Sequence, residues 1–134
     1  MSRVQLALNV TNVDAAVEFY RRLFGTEPAK RRPGYANFAI ASPPLKLVLI
    51  ENPHAPSGTL NHLGVEVESR AEVGRAAARL RGEGFALRGE EGVTCCHAVQ
   101  DKVWVDDPQG TWEFYTVLAD APPPPAEATA CCGA

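Results

Sequence analysis

Apolar and polar residues alternate in two separate segments of the chain, VQLALNV (4–10) and HLGVEVE (62–68). Such alternation is typical of a half-buried β-strand, because successive side chains of a strand point to opposite faces of the sheet. Each segment is followed by apolar residues at helical spacing, over residues 11–25 and 69–84. The hydrophobic pattern therefore predicts two strand–helix pairs.

The start of each predicted helix carries its own signal. Thr11 with Asp14, and Ser69 with Glu72, have the spacing of a helix capping box. Gly25 is expected to end the first helix, because glycine readily adopts the left-handed conformation found just past a helix.

Further strand-like runs follow both helices. In the first half they are residues 35–41 and 45–51, with a weaker run near 27–32; in the second half they are residues near 86–95, 102–105 and 111–118. The order of elements thus repeats, which predicts an α+β fold of two βαβββ modules, at about residues 3–51 and 61–118. We expect the modules to form one curved, mixed sheet with a site on its concave face.

The composition changes sharply near the end of the chain. Residues 120–134, DAPPPPAEATACCGA, are rich in proline and alanine and cannot build a packed core. We therefore expect a single domain over residues 1–119, followed by a flexible tail that carries a second cysteine pair.

Composition and charge exclude several classes of function. With 134 residues, 46% hydrophobic residues and a net charge of −3, the chain is expected to be globular, with no electrostatic basis for binding nucleic acid or an anionic membrane. No run of about 18 apolar residues is present. The four cysteines form two CC pairs, which suit a reducing cytoplasm better than a disulfide framework.

Strand periodicity predicts which polar side chains share a face. If the apolar residues of segments 4–10 and 62–68 face the helices, Gln5 and His62 face the other way. In the strand at 111–118, Glu113 carries the side chain that is most costly to bury without a partner. Gln5, His62 and Glu113 could thus converge on one surface. Taken alone, Gln5 is more typical of a strand-edge amide and Glu113 of a surface carboxylate, whereas His62 is equally compatible with an ordinary hydrogen-bonded histidine.

The adjacent pair Cys95–Cys96 poses a chemical question. Neighbouring Cα atoms lie about 3.8 Å apart, whereas a relaxed disulfide needs roughly 4.4–6.8 Å. The pair therefore makes a poor covalent staple, but its two thiolates can bind one soft atom. Small buried fillers are the alternative interpretation. We expect the segment 92–102 around the pair to be a loop.

These features together resemble a known family. The double βαβββ order, the segment DDPQGTWEFY (106–115), and the ligand-type residues Gln5, His62 and Glu113 resemble the vicinal oxygen chelate superfamily of glyoxalases, bleomycin-resistance proteins and extradiol dioxygenases. Within it, TCCHAVQDKVWV (94–105) resembles the organoarsenical C–As bond lyases and the cadmium-induced proteins. The resemblance covers about residues 3–118.

The resemblance implies a metal-dependent reaction. It implies that Gln5, His62 and Glu113 hold Fe(II), with dioxygen as co-substrate, although Ni, Mn or Co could occupy the purified protein. It also implies that Cys95 and Cys96 hold the arsenic of a trivalent methyl- or aryl-arsenical while its carbon–arsenic bond is cleaved and arsenite is released.

Secondary roles follow from the same resemblance. His97, Lys102 and Tyr115 are candidates for contacts to the substrate or to the metal ligands, and Lys102 and His97 could lower the pKa of the thiols. Cys131 and Cys132 either shuttle arsenic to the site or simply lie in the tail. Members of the superfamily are commonly homodimers, which makes a homodimer an expectation here.

Two alternative functions remain open at this point. One is a non-catalytic resistance protein that sequesters Cd(II), arsenite or a drug on the same fold. The other is a glyoxalase-like isomerase, which would need a fourth metal ligand. Glu51 is the candidate for that ligand, but it lies at the end of its strand rather than in the middle.

Overall fold

A computed structural model describes residues 2–95 and 98–120, and within them eight strands and two helices. In chain order these are β1 (Arg3–Val10), α1 (Val13–Phe24), β2 (Lys30–Arg32), β3 (Tyr35–Ile40), β4 (Leu45–Glu51), β5 (Thr59–Glu66), α2 (Arg70–Gly82), β6 (Leu87–Cys95), β7 (Ala98–Asp107) and β8 (Gly110–Asp120). The element order β-α-β-β-β therefore occurs twice, and the predicted α+β class is confirmed. Strand β8 includes Asp120, the first residue of the predicted tail.

Contacts between residues divide the chain into two units. The first comprises Val4–His62, and the second comprises the described residues from Leu63 onward together with Ser2 and Arg3. The division falls inside β5, whose first half belongs to one unit and whose second half belongs to the other.

The two units use the same strand pairings. In the first, the order is β2-β3-β4-β1, with β1 parallel to β4 and the other pairs antiparallel. In the second, the order is β5-β8-β7-β6, with β5 parallel to β8 and the other pairs antiparallel. A parallel pair needs a long crossover connection, and the helix with the strands after it provides that connection in each unit.

The hydrophobic core of the first unit lies between α1 and its sheet. Leu8 and Val10 of β1 pack with Val13 and Val17 of α1 and with the fully buried Phe38 of β3. The even-numbered residues of β1 therefore face the helix, as the alternation predicted.

The core of the second unit lies under α2. Val73 and Ala77 of α2 form a cluster with Val103 of β7, and Val67 and Phe114 pack against it. Since Phe114 lies on the helix side of β8, its neighbours Glu113 and Tyr115 lie on the opposite face.

Helix α1 begins one residue later than the capping-box spacing suggested. Its N-cap is Asn12, whose side chain accepts a hydrogen bond from the Ala15 backbone N–H at 3.0 Å. The expectation for Thr11 as the cap is wrong because Asn12 offers its carbonyl oxygen at the correct position. Gly25 ends the helix at φ 64°, as predicted.

Helix α2 is capped as predicted. The Ser69 side chain accepts from the Glu72 backbone N–H at 3.2 Å, and the Glu72 carboxylate accepts in return from the Glu68 N–H at 2.7 Å. The first bond satisfies a backbone donor of the first helical turn, and the second holds the backbone of Glu68, the residue before the N-cap. Among the described residues, neither helix is long and apolar enough to cross a membrane.

Replacement of Phe38 by alanine should lower the free energy of unfolding by about 3–5 kcal/mol, since it leaves a cavity under α1. Urea titration followed by circular dichroism measures the change. Phe19→Ala is the matched control, because the side chain of Phe19 on α1 is half exposed and its loss should cost about 1 kcal/mol or less. Equal losses for the two variants would contradict the assignment of Phe38 to the core.

Candidate metal centre

Strand β1 brings Gln5 to the first half of β5. The odd-numbered residues of β1 face away from α1, and Gln5 is buried among them. Its side-chain Nε2 lies 3.2 Å from Nε2 of His62, which is also buried. The structure therefore brings together two of the three predicted ligands within the first unit.

The orientation of the His62 ring is set by its neighbour in the chain. Nδ1 of His62 lies 2.8 Å from Oδ1 of Asn61. Because an amide oxygen only accepts hydrogen bonds, Nδ1–H of the imidazole is the donor in this contact. The lone pair of a neutral His62 ring then lies on Nε2, the atom that faces Gln5. Asn61 was not among the predicted site residues, although its position beside a candidate ligand was a signal.

Glu113 lies in the second unit and is buried there with a cation. Its side chain is only 3% exposed, and its Oε2 lies 3.5 Å from Nζ of Lys102, whose side chain is 1% exposed. Lys102 lies on β7, opposite Tyr115 of β8. Its ammonium also lies 5.4 Å from the ring centre of Trp104 and 5.8 Å from that of Tyr115.

Burial and charge act in opposite directions on Lys102. Removal from water lowers the pKa of its ammonium from the ordinary value, and the nearby carboxylates of Glu113 and Glu90 oppose that shift. Glu113 thus places its carboxyl group beside Lys102 on the face of β8 that does not carry the helix.

The chemical types of these donors fit a divalent first-row ion. An imidazole lone pair and a carboxylate are common ligands for such ions, and the oxygen of a glutamine amide is a neutral third donor. Among the described residues, no group of three or more His, Cys, Asp or Glu could hold a metal. Since the predicted set contains only one histidine and one glutamate, a site built from it requires the amide of Gln5.

Glu51 has a structural role at the start of α1. Its Oε2 accepts a hydrogen bond from the Val13 backbone N–H at 3.2 Å, so the carboxylate satisfies a free donor of the first helical turn. This contact supports the view that Glu51 is not a fourth metal ligand.

The prediction of a loop over residues 92–102 is wrong. Strand β6 continues to Cys95 and β7 begins at Ala98, with the backbones of these two residues paired. The antiparallel ladder extends to the cysteine because β7 supplies partners along almost all of β6. Cys96 and His97 lie outside the described residues, as do Cys131 and Cys132, and of Cys95 only the backbone is described.

A buried carboxylate anchors this hairpin at an irregularity. The β6–β7 register shifts between Glu90 and Val93, and Gly92 there adopts φ 59°. Oδ1 of Asp101 accepts from the Gly92 N–H at 2.6 Å, and its Oδ2 lies 2.8 Å from Nε of Arg70 on α2. Asp101 thus links the bulge before the cysteines to the helix. The sequence alone carried no signal for this role.

Comparison with protein families identifies the fold family of the chain. The family model of the Glyoxalase/Bleomycin resistance protein/Dioxygenase superfamily matches residues 3–115. This match covers most of both βαβββ units.

Curated relatives are similar over almost the whole chain. The "Cadmium-induced protein CadI" of Mycobacterium tuberculosis is 65% identical over 122 residues, covering 90% of this chain and 80% of that protein. The "Trivalent organoarsenical cleaving enzyme" of Thermomonospora curvata is 58% identical over 134 residues, covering 98% of this chain and 89% of that protein.

Solved structures share the fold at low sequence identity. The Mn(II)-bound glyoxalase of Novosphingobium aromaticivorans has a TM-score of 0.63 at 20% identity, over 94% of this chain and 44% of that one. Homoprotocatechuate 2,3-dioxygenase of Arthrobacter globiformis has a TM-score of 0.62 at 22% identity, over 88% of this chain and 36% of that one.

The family match spans residues 3–115, and the two curated relatives match 90% and 98% of the chain. The chain belongs to the Glyoxalase/Bleomycin resistance protein/Dioxygenase superfamily, and within it to the family of the CadI proteins and the trivalent organoarsenical cleaving enzymes.

Proposed function

We propose that this protein is an Fe(II)-dependent dioxygenase that cleaves the carbon–arsenic bond of trivalent organoarsenicals and releases arsenite. The observation that carries the proposal is the vicinal pair Cys95–Cys96 in a chain 58% identical to a trivalent organoarsenical cleaving enzyme over 98% of its length. A vicinal dithiol is suited to bind trivalent arsenic, because arsenic prefers sulfur to oxygen.

The residues proposed to hold the metal are Gln5, His62 and Glu113. Support comes from the lone pair on His62 Nε2, the burial of all three side chains, and the contact of the Glu113 carboxyl group with Lys102. Ferrous iron, when bound, would supply the activation of dioxygen.

Lys102 and Tyr115 are proposed to support the reaction from the second unit. The ammonium of Lys102 holds the Glu113 carboxylate in one orientation and partly offsets its charge. Tyr115 is fully buried on the same face of β8 and, with Trp104, excludes water from this pair. A dry environment strengthens each charge–charge interaction within it.

The two thiolates of Cys95 and Cys96 are proposed to replace two hydroxyl groups on arsenic and so fix the substrate by the atom that is not oxidised. Holding reactants in place can supply about 7–11 kcal/mol of the barrier in the best cases. The contacts of Asp101 with Gly92 and Arg70 anchor strand β6, whose last residue is Cys95. Cys131–Cys132 are proposed as a second thiol pair that passes arsenic to the first.

The net reaction balances without an external reductant. For a methylarsenical it is CH3As(OH)2 + O2 → As(OH)3 + CH2O. The carbon–arsenic bond breaks, carbon is oxidised to the aldehyde, arsenic stays trivalent, and both oxygen atoms enter the products.

Arsenite should form only when Fe(II) and dioxygen are both present. The protein is reconstituted anaerobically with Fe(II), mixed with trivalent methylarsenical and then exposed to air. The arsenic species in the products are determined, and oxygen consumption is followed in parallel with an oxygen electrode. We expect one dioxygen consumed per arsenite released. Arsenite formed under strict anaerobiosis would contradict the dioxygenase mechanism.

Glu113→Gln should weaken Fe(II) binding by more than about 100-fold and should abolish arsenite release. Mutation of a residue that only supports a metal ligand already lowers metal affinity by about 10–100-fold. Binding of the arsenical through the thiols should persist, which separates metal loss from substrate loss. Glu27→Gln is the control, because the Glu27 side chain is 77% exposed. Circular dichroism establishes that both variants fold. Full turnover by Glu113→Gln would rule out the assignment.

Replacement of both Cys95 and Cys96 by serine should abolish tight binding of the trivalent arsenical and leave Fe(II) affinity unchanged. The matched control replaces Cys131 and Cys132, and we expect it to slow arsenic transfer at low substrate without loss of the maximal rate. Retention of full activity after the first double replacement would show that arsenic is not tethered there.

The identity of 65% to a cadmium-induced protein favours a second candidate function. On this view the thiols sequester Cd(II) or arsenite without catalysis. The same reconstitution experiment distinguishes the two, because a sequestering protein holds intact methylarsenical whether or not iron and air are present.

A further inference from the structure

An asparagine near the end of β1 organises the surroundings of His62 within the first unit. Asn9 is buried, and its Oδ1 accepts two hydrogen bonds, from Nδ2 of Asn61 at 2.9 Å and from Nδ2 of Asn52 at 3.2 Å. An amide oxygen has two lone pairs, so both of its acceptor sites are used.

The donor side of Asn9 is also used in full. Its Nδ2 donates to Oγ1 of Thr59 at 3.2 Å and to the Leu60 carbonyl at 3.5 Å. The Thr59 hydroxyl donates its own hydrogen to the Pro56 carbonyl at 2.7 Å and therefore acts as acceptor towards Asn9. A buried asparagine with four partners has one favoured orientation, because any rotation would break several bonds.

Backbone groups fix the direction of this hydrogen-bond network at two places. The Leu60 carbonyl can only accept, which requires the NH2 group of Asn9 on its side. The His54 backbone N–H can only donate, and it donates to Oδ1 of Asn52 at 2.9 Å, which turns the NH2 group of Asn52 towards Asn9. If either amide were flipped, donors would face donors and acceptors would face acceptors.

The same logic determines the orientation of Asn61. Since its partner on Asn9 is an oxygen, Asn61 must present its NH2 group there and its Oδ1 to Nδ1 of His62, at 2.8 Å. At the other ring nitrogen, Gln5 does not select the tautomer by itself, because a glutamine side chain can donate or accept. Asn61 is therefore the group of this network that discriminates between the two neutral forms of the ring.

We propose that Asn61, oriented by Asn9, is a positioning residue that holds the proton of His62 on Nδ1 and so keeps the Nε2 lone pair available for the metal ion. The metal part of this inference rests on the proposed function, in which His62 is a ligand. Groups that hold the distal nitrogen of a metal-binding histidine commonly affect metal affinity by 10–100-fold.

The tautomer of His62 can be measured without any metal. In the metal-free protein labelled with 15N-histidine, at about pH 8, where an ordinary imidazole is neutral, the nitrogen chemical shifts show which ring atom carries hydrogen. We expect the Nδ1–H form for His62 in the wild type. The chain contains three histidines, and a His62→Gln sample identifies the signals. An Nε2–H form in the wild type would overturn the proposal.

Variants of this network distinguish a role of Asn61 in positioning His62 from a role in protein stability alone. Asn61→Ala should populate the Nε2–H tautomer and weaken Co(II) binding by about 10–100-fold, and Asn9→Ala should cause a smaller change in the same direction. Asn61→Asp keeps an acceptor at Nδ1 and should retain the Nδ1–H tautomer, although it loses the hydrogen bond that Asn61 donates to Asn9 Oδ1. The matched control is Asn37→Ala, which removes another buried asparagine of the same unit, one that donates to the Tyr35 hydroxyl at 3.0 Å.

Two further outcomes are decisive. If Asn61→Ala retains both the Nδ1–H tautomer and wild-type Co(II) affinity, or if Asn37→Ala weakens Co(II) binding equally, Asn61 is not a positioning residue. If the wild type shows the Nδ1–H tautomer that Asn61→Ala loses, yet binds neither Co(II) nor Fe(II), the network is supported and the proposed metal function fails.

Discussion

Strand β1 and the centre of β8 are buried or half-buried on both faces, and each carries polar side chains on the face away from its helix. On β1 the even-numbered residues pack under α1, while Gln5 and Asn9 are buried on the opposite face. On β8, Phe114 packs under α2, while Glu113 is buried on the opposite face. A polar group without water must have a partner within the protein, or its burial is costly. The hydrogen-bond networks follow from this constraint.

The two units meet the constraint in different ways. The first uses neutral amides, with Asn9 satisfied on all four sides, whereas the second uses the ion pair of Lys102 and Glu113. Loss of one member of a buried ion pair costs about 3–5 kcal/mol, because the other charge is left without compensation. The duplicated fold thus carries two different polar faces. The strand register shows the difference between the two faces. Gly64 of β5 pairs with Glu113 of β8, whereas Ala7, at the equivalent position of β1, pairs with the apolar Val48 of β4.

This difference bears on how one fold hosts several chemistries. Fold alone does not define function, and the solved structures that share this fold include a glyoxalase and a dioxygenase. In this chain the first unit provides no carboxylate at the position equivalent to Glu113, and Glu51 at the end of the same strand caps α1. The proposed arsenic chemistry rests on the vicinal pair Cys95–Cys96, because two thiolates can bind one soft atom while neighbouring residues form a disulfide poorly.

Local periodicity by itself determined the helices, most strands and the faces on which Gln5 and His62 lie, because residue spacing shows which face of a strand or helix is apolar. The cost of burying a carboxylate singled out Glu113, and the pair Cys95–Cys96 is visible in the sequence itself. Contacts between distant segments were decided only by tertiary structure. Asn61 acquires its role through Asn9, and Asp101 through Gly92 and Arg70. The strand identity of residues 98–101 depended on a partner strand, since a β-ladder is stabilised by hydrogen bonds that no single segment can form alone.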